Sequence, residues 1–215
     1  ARVAAGKPVR VGLVGAGKFG SMFLSQVPHI PGLEVAVISE TDIERGKAAC
    51  RNVGWDEARI ARTKFSDRGR DACLYEAVEV VIEATGRPDA GIAHALRAID
   101  AGKHIVMVNV EADSMVGWLL AEKARAKGLV YSMAYGDQPA LVAEMVDWAR
   151  SAGFQVVAAG KGTKYLPFYH TVTPDDVWKH YGLTPEEAKA GGMNPQMFNS
   201  FLDGTKSAIE MADRK

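Results

Sequence analysis

Short apolar runs alternate along this chain with longer stretches in which apolar residues recur every three or four positions. The runs fall at residues 9–14, 33–38, 78–83, 104–108, 129–133 and 154–159, each with the length and composition of a buried strand. Helical spacing fills the intervals. Phe19, Met22, Phe23 and Val27 mark a stripe after the first run, and Ile92, Leu96 and Ile99 mark one over residues 89–101. Asp42 is placed to cap a helix to about Asn52, Ser114 to cap one ending near Lys127, and a further helix is expected over 139–151. Gly102 and Gly128 stand where two helices stop. Residues 53–78, rich in Arg and Asp, read as a surface excursion. Six strands alternating with helices predict an α/β fold, a doubly wound parallel sheet of order 3-2-1-4-5-6, over residues 1–160.

The pattern changes after Gly160. Three Pro-bearing helix starts appear at Thr173-Pro174, Thr184-Pro185 and Asn194-Pro195, with Asp176 and Glu187 set to complete capping boxes. Aromatic residues lie between them (Tyr165, Phe168, Tyr169, Trp178, Tyr181), as suits a lid or a substrate wall. Some 55 residues of this kind are too few for a complete second core. Residues 161–215 are therefore expected to be the incomplete start of a second, catalytic and dimerising domain.

Composition narrows the function. With 26 basic and 26 acidic residues the net charge is zero, and no block of like charge offers a nucleic-acid or membrane footprint. No apolar run approaches the ~18 residues of a membrane helix, and the first residues lack the apolar core of a signal peptide. The two cysteines, Cys50 in a helical stretch and Cys73 in a connecting region, have no metal-ligand spacing; free thiols in a cytoplasmic protein are expected.

Chemistry concentrates just beyond the strands, where ligands of such sheets bind. The first strand runs into Gly15-Ala16-Gly17-Lys18-Phe19-Gly20, a G-x-G-x-x-G. Gly15 allows the tight turn, Gly17 lets backbone approach a pyrophosphate, and Gly20 lets the helix pack closely; Lys18 and Phe19 share the loop. Glu40, twenty residues beyond Gly20, is placed to accept hydrogen bonds from an adenosine ribose. This is the signature of a Rossmann NAD(P)-binding domain. Ala84, Thr85 and Gly86 are small enough for backbone to pass a ribose, although Gly86 and Pro88 also suit a plain tight turn. Asn109, Glu111 and Asp113 follow the fourth run, where Asp113 and Ser114 serve equally as caps; Asp137 and Gln138 follow the fifth. Lys161 and Lys164 lie on a glycine-framed loop and Lys206 on a similar segment. They suit an anionic substrate or a nascent alkoxide, or simple solvation. His29, His94, His104 and His170 carry no partner signature, and no Ser-His-Asp order, zinc spacing or Walker loop is present.

At these residues the chain resembles a known group. The runs 81–88 (Val-Ile-Glu-Ala-Thr-Gly-Arg-Pro), 102–113, 134–140, 158–162 and 203–212 look like the homoserine dehydrogenase-like oxidoreductases, in the branch that carries a SAF domain. Gly-Lys-Gly-Thr-Lys-Tyr-Leu-Pro and Met-Asn-Pro-Gln-Met-Phe-Asn-Ser-Phe are closest to the 1-deoxy-D-xylulose 5-phosphate reductoisomerase-like enzymes. The resemblance implies an NADPH-dependent oxidoreductase of isoprenoid precursor synthesis, acting as a homodimer on a small phosphorylated carbonyl. It also leaves room for NADH, and for a divalent metal held by Glu111 and Asp137. Three features depart from it. Asn109-Val110 replaces the Asn-Lys of homoserine dehydrogenases, Asp203-Gly204-Thr205-Lys206-Ser207 replaces their Asn-Gly-Thr-Thr-Asn, and Glu40 disfavours a 2′-phosphate unless Arg45 or Lys47 compensates. Family members also continue well past Glu210. The alternatives are a homoserine or sugar-acid dehydrogenase and a non-catalytic NAD(P) sensor.

Overall fold

The computed structural model describes residues 2–212. They divide into two compact units, Ala1–Asp137 and Gln138–Lys215. The expected boundary near residue 160 therefore falls inside the second unit.

The first unit is a six-stranded parallel sheet: β1 Val9–Val14, β2 Leu33–Ser39, β3 Lys64–Ser66, β4 Val80–Glu83, β5 His104–Met107 and β6 Tyr131–Met133. The strands lie in the order β3-β2-β1-β4-β5-β6. The numerical order is the predicted one, but the run at 78–83, expected third and so at the edge beside the second strand, is β4 and pairs with β1, while His104–Met107 pairs with β4. The supposed excursion at 53–78 folds into α3 Glu57–Arg62, β3 and α4 Gly69–Leu74, and β3 pairs with β2. The expected sixth strand at 154–159 forms no ladder, and Phe154 and Val157 are exposed. Three-residue β3 is hidden in the sequence because Lys-Phe-Ser shows no apolar run, whereas 154–159 shows one that no neighbouring strand pairs with.

Successive residues of a strand face opposite sides of the sheet, and both sides are buried here. Leu13 and Ile38 join Leu24, Cys50, Trp55 and Ile60 in one cluster. Val14, Val37 and Met107 join the other with Ala95, Ile99 and Leu120. The covering helices are α1 Lys18–Gln26 and α2 Ile43–Asn52, then α5 Pro88–Asp100 and α6 Val110–Ala126. The buried face of α1 is Gly20, Leu24 and, just beyond its end, Val27. Phe19 and Met22 of the expected stripe are exposed instead. The Trp55 indole N–H donates to the Leu24 carbonyl at 2.8 Å, tying the turn after α2 to α1 across the cluster. Asp42 caps α2 as expected. The cap of α6 is Asn109, not Ser114, whose hydroxyl bonds the Glu111 carbonyl within the helix. Cys73 sits in α4, inside the core, where burial foremost pushes its thiol up to about 12; burial likewise raises Cys50 to about 11. Both are buried free thiols.

The second unit is helical: α7 Gln138–Ser151, α8 Trp178–Tyr181, α9 Pro185–Ala190, α10 Pro195–Leu202 and α11 Thr205–Ala212. A small core of Tyr169, Val172, Val177, Trp178 and Ala188 holds it, with Phe198 and Leu202 packed on. Thr184 and Glu187 form the expected capping box of α9, and Asn194 caps α10. At Thr173 only half the pattern is realised. Asp176 accepts the Thr173 N–H at 2.9 Å, but residues 174–177 form turns and the helix begins at Trp178. Among the described residues no helix is long and apolar enough to cross a membrane.

Candidate dinucleotide cleft and lysine cluster

Beyond the C-terminal ends of β1, β2 and β4 lies a cleft of about 560 Å³. Of the residues singled out by the sequence, Gly15, Gly17, Glu40, Ala84 and Thr85 line it. The glycines serve in three ways. Gly15 takes φ +94°, and a Cβ there would stand 2.7 Å from the Ala84 carbonyl oxygen, so both the turn and the close approach of β4 require glycine. A Cβ on Gly20 would collide with the Gly15 carbonyl oxygen, which makes Gly20 the contact that seats α1 under the loop. Gly17, the N-cap of α1, would have nothing within 4 Å of an added Cβ, so the space beside it is open. Open space before the N–H groups of a nine-residue helix is where a pyrophosphate binds.

Glu40 closes the other side. It is buried, and its Oε2 accepts the Ala16 N–H at 2.9 Å, from the middle of the glycine loop. Its Oε1 accepts the Thr41 hydroxyl at 3.0 Å and pairs with Arg45. Burial pushes the carboxyl up, but the Ala16 N–H, Thr41 and Arg45 together outweigh it and hold Glu40 below its ordinary value. Arg45 is itself 63 % exposed at the cleft, whereas Lys47 is paired with Glu44.

Other predicted residues stand apart from the cleft lining. Lys18 and Phe19 are exposed on the first turn of α1, and Gly86 takes φ +68° in the turn after β4. Asn109 is buried, and its amide is spent on the Arg87 carbonyl (2.9 Å) and the Ala112 N–H (3.1 Å). It supports the 84–87 loop from behind. Asp113 is buried and accepts the Tyr131 hydroxyl. Glu111 lies in the first turn of α6, and Asp137 ends the loop after β6. Among the described residues no three His, Cys, Asp or Glu side chains are grouped to hold a metal.

In the second unit Lys161 and Lys206 converge on Glu210, which is buried. Lys161 pairs with its Oε2 and Lys206 Nζ stands 3.9 Å from Oε1. The Lys161 backbone N–H also meets Met211 Sδ at 3.4 Å, so this loop residue is fastened to α11 twice. Lys164 lies exposed on the same loop, outside the cluster. Sequence reasoning missed Glu210, which the i, i+4 spacing from Lys206 on one helix face could have shown. It also missed Glu83 and His94. The signal there was a charged residue ending the otherwise apolar β4.

Comparison with known proteins places these features. Residues 9–108 match the GFO/IDH/MocA model, an oxidoreductase family with an NAD-binding Rossmann fold, and residues 136–213 match the catalytic domain of oxidoreductase DRL. No curated protein sequence matches the chain. Among solved structures it is similar to an NAD-binding oxidoreductase from Klebsiella pneumoniae, with 18 % identity over 68 % of this chain and 39 % of that one and a TM-score of 0.52. Myo-inositol dehydrogenase from Lactobacillus casei, solved with NAD(H) and myo-inositol, gives 21 % identity over 66 % and 42 % of the two chains and a TM-score of 0.51. A homoserine dehydrogenase from Thiobacillus denitrificans gives 20 % identity over 59 % and 29 %, with a TM-score of 0.50. At these identities the likeness is one of fold, and the chain spans only about two fifths of the length of the first two. The stretch that holds the glycine loop thus matches an oxidoreductase family with an NAD-binding Rossmann fold, and the stretch that holds the lysines matches the catalytic domain of oxidoreductase DRL.

Proposed function

We propose that the protein is an NAD(P)H-dependent reductase of a small carbonyl substrate with an anionic, phosphorylated end, working in the manner of the reductoisomerase-like enzymes its sequence resembles. The observation that carries this reading is the convergence of Lys161 and Lys206 on buried Glu210 within a segment that matches a catalytic domain. Reducing a carbonyl turns its oxygen into an alkoxide, which needs a proton or a positive charge at that atom. A bound nicotinamide supplies the hydride to the carbonyl carbon. One lysine ammonium supplies the proton to the oxygen, and the other holds the anionic end of the substrate. Glu210 keeps the two at one place.

NADPH is the proposed donor. The Glu40 carboxyl is already engaged by Ala16, Thr41 and Arg45, so it does not stand bare toward a ribose. The exposed Arg45 guanidinium is the group suited to a 2′-phosphate. A homodimer belongs to the same proposal and is read by light scattering.

The test is NADPH and NADH oxidation by the purified protein with 1-deoxyxylulose 5-phosphate, alongside NADP⁺ reduction with homoserine. Oxidation of NADPH that depends on the sugar phosphate is expected. Turnover of homoserine alone would move the protein to the dehydrogenases, and cofactor binding without turnover of either would make it a sensor.

A further inference from the structure

The dinucleotide cleft rests on buried polar groups that no sequence motif announces. Glu83, the last residue of β4, is fully buried. Its Oε1 accepts the Thr85 hydroxyl at 2.6 Å and faces His94 Nδ1 at 3.3 Å, while Oε2 has no hydrogen-bond partner. Thr85 and His94 both line the cleft. Thr85 Oγ1 in turn accepts the Arg87 N–H at 3.3 Å, and Asn109 holds the Arg87 carbonyl. The loop between β4 and α5 is thereby fixed from behind at two points. Two glycines clear the space. A Cβ on Gly91 would stand 3.1 Å from Glu83 Oε2, and one on Gly69 would collide with His94 Nε2.

A carboxyl group here is costly to the fold, because burial strips its water and leaves one oxygen unanswered. An apolar side chain of similar volume would continue β4, whose Val80, Val81 and Ile82 already satisfy the core. What Glu83 provides is direction. With the Thr85 proton committed to Glu83, Oγ1 presents its lone pairs to the loop and the cleft. With Nδ1 turned to the same carboxyl, the His94 ring has one orientation. We infer that Glu83 is a positioning residue of the dinucleotide site, fixing Thr85 and His94 so that the 84–87 wall is set before the cofactor arrives. Preorganisation of this kind raises affinity by removing an ordering cost from the binding step. The inference rests on the cleft being the cofactor site and needs nothing about the substrate.

Fluorescence titration of the purified protein with NADPH and NADH tests it, using Glu83→Gln, Thr85→Val and the double variant, with thermal unfolding as a control on the fold. Each single change should weaken the better-bound cofactor about tenfold. The double variant should be no weaker than either, because both changes remove one link. A purely structural Glu83 would lower Tm without this coupling in affinity. If Glu83→Gln fails to fold, Thr85→Val decides alone: a tenfold loss supports the role and a change within twofold overturns it. Wild-type protein that binds neither cofactor would remove the cleft reading and the inference with it. Wild-type binding with unaffected variants, or losses that add in the double variant, would overturn the role of Glu83 only.

Discussion

The cleft in the first unit is made largely of backbone, and the lysine cluster in the second is made of side chains. The glycine loop is set by a positive φ at Gly15, by van der Waals closeness at Gly20 and by open space at Gly17. Its polar fastenings are again backbone groups: the Ala16 N–H is held by the buried Glu40 carboxyl and the Gly15 N–H by the Ser39 carbonyl. The lysine cluster has no such frame. Lys161 comes from an irregular run and Lys206 and Glu210 from an eight-residue helix, and the cluster is closed by side-chain contacts to Glu210 and Met211. A backbone site is shaped by the fold before any ligand arrives. A side-chain site depends on a few atoms at the ends of flexible stems, so single substitutions should silence it without touching the cofactor loop.

That contrast can be broken most directly at the lysines. Lys161→Met and Lys206→Met should each cut turnover about 100-fold, as for loss of a proton donor or anchor, with cofactor affinity within twofold and Tm lowered as buried Glu210 loses a partner. Steady-state kinetics with both measurements alongside decides it; turnover within twofold for both would move the chemistry elsewhere. In the backbone site the opposite coupling is expected. Gly20→Ala pushes a methyl group against the Gly15 carbonyl oxygen, which should cost about 1–3 kcal/mol of stability and weaken the cofactor in step. Denaturant unfolding that matches wild type would show the loop to be softer than its geometry.

Two smaller effects sharpen the picture at Glu40. Arg45→Ala should weaken NADPH about tenfold and leave NADH within twofold, since a guanidinium discriminates by its charge-assisted bonds to phosphate. Equal losses for both cofactors would reduce Arg45 to a partner of Glu40. The carboxyl of Glu40 is held below its ordinary value in the folded chain, so its contribution to stability is present above the unfolded-state value and is lost as pH falls through the lower, folded one. Glu40→Gln should therefore flatten the acid limb of stability below about pH 4.5. An unchanged limb in urea titrations would place the acid sensitivity in other carboxyls.

The backbone site is legible in the sequence because each glycine stands at a fixed offset from a strand, and Glu40 at a fixed distance beyond it. The doubly wound sheet is legible for the same reason, but the places of its later strands are not: Lys64-Phe65-Ser66 pairs at the edge without an apolar run, which moves 78–83 beside β1, and 154–159 has the run without the pairing. The polar layer behind the cleft is not legible. Glu83 and His94 are eleven residues apart, with no spacing rule that joins a strand end to the second turn of the next helix. Lys161 and Glu210 are 49 residues apart, and nothing short of the fold brings them together. Asn109 follows a strand, the position of a cofactor ligand; its amide instead caps α6 and holds the Arg87 carbonyl. Position along the chain locates it, but only its hydrogen bonds reveal its work.

The central claim is that the open space beside Gly17 receives the dinucleotide pyrophosphate. Fluorescence titration of Gly17→Val with NADPH and NADH, paired with thermal unfolding, tests it most directly. An added Cβ meets no protein atom within 4 Å there, so stability should change by less than about 1 kcal/mol. The account predicts that affinity for both cofactors falls at least tenfold in this folded variant, while wild-type protein binds. Unchanged affinity in Gly17→Val would contradict it.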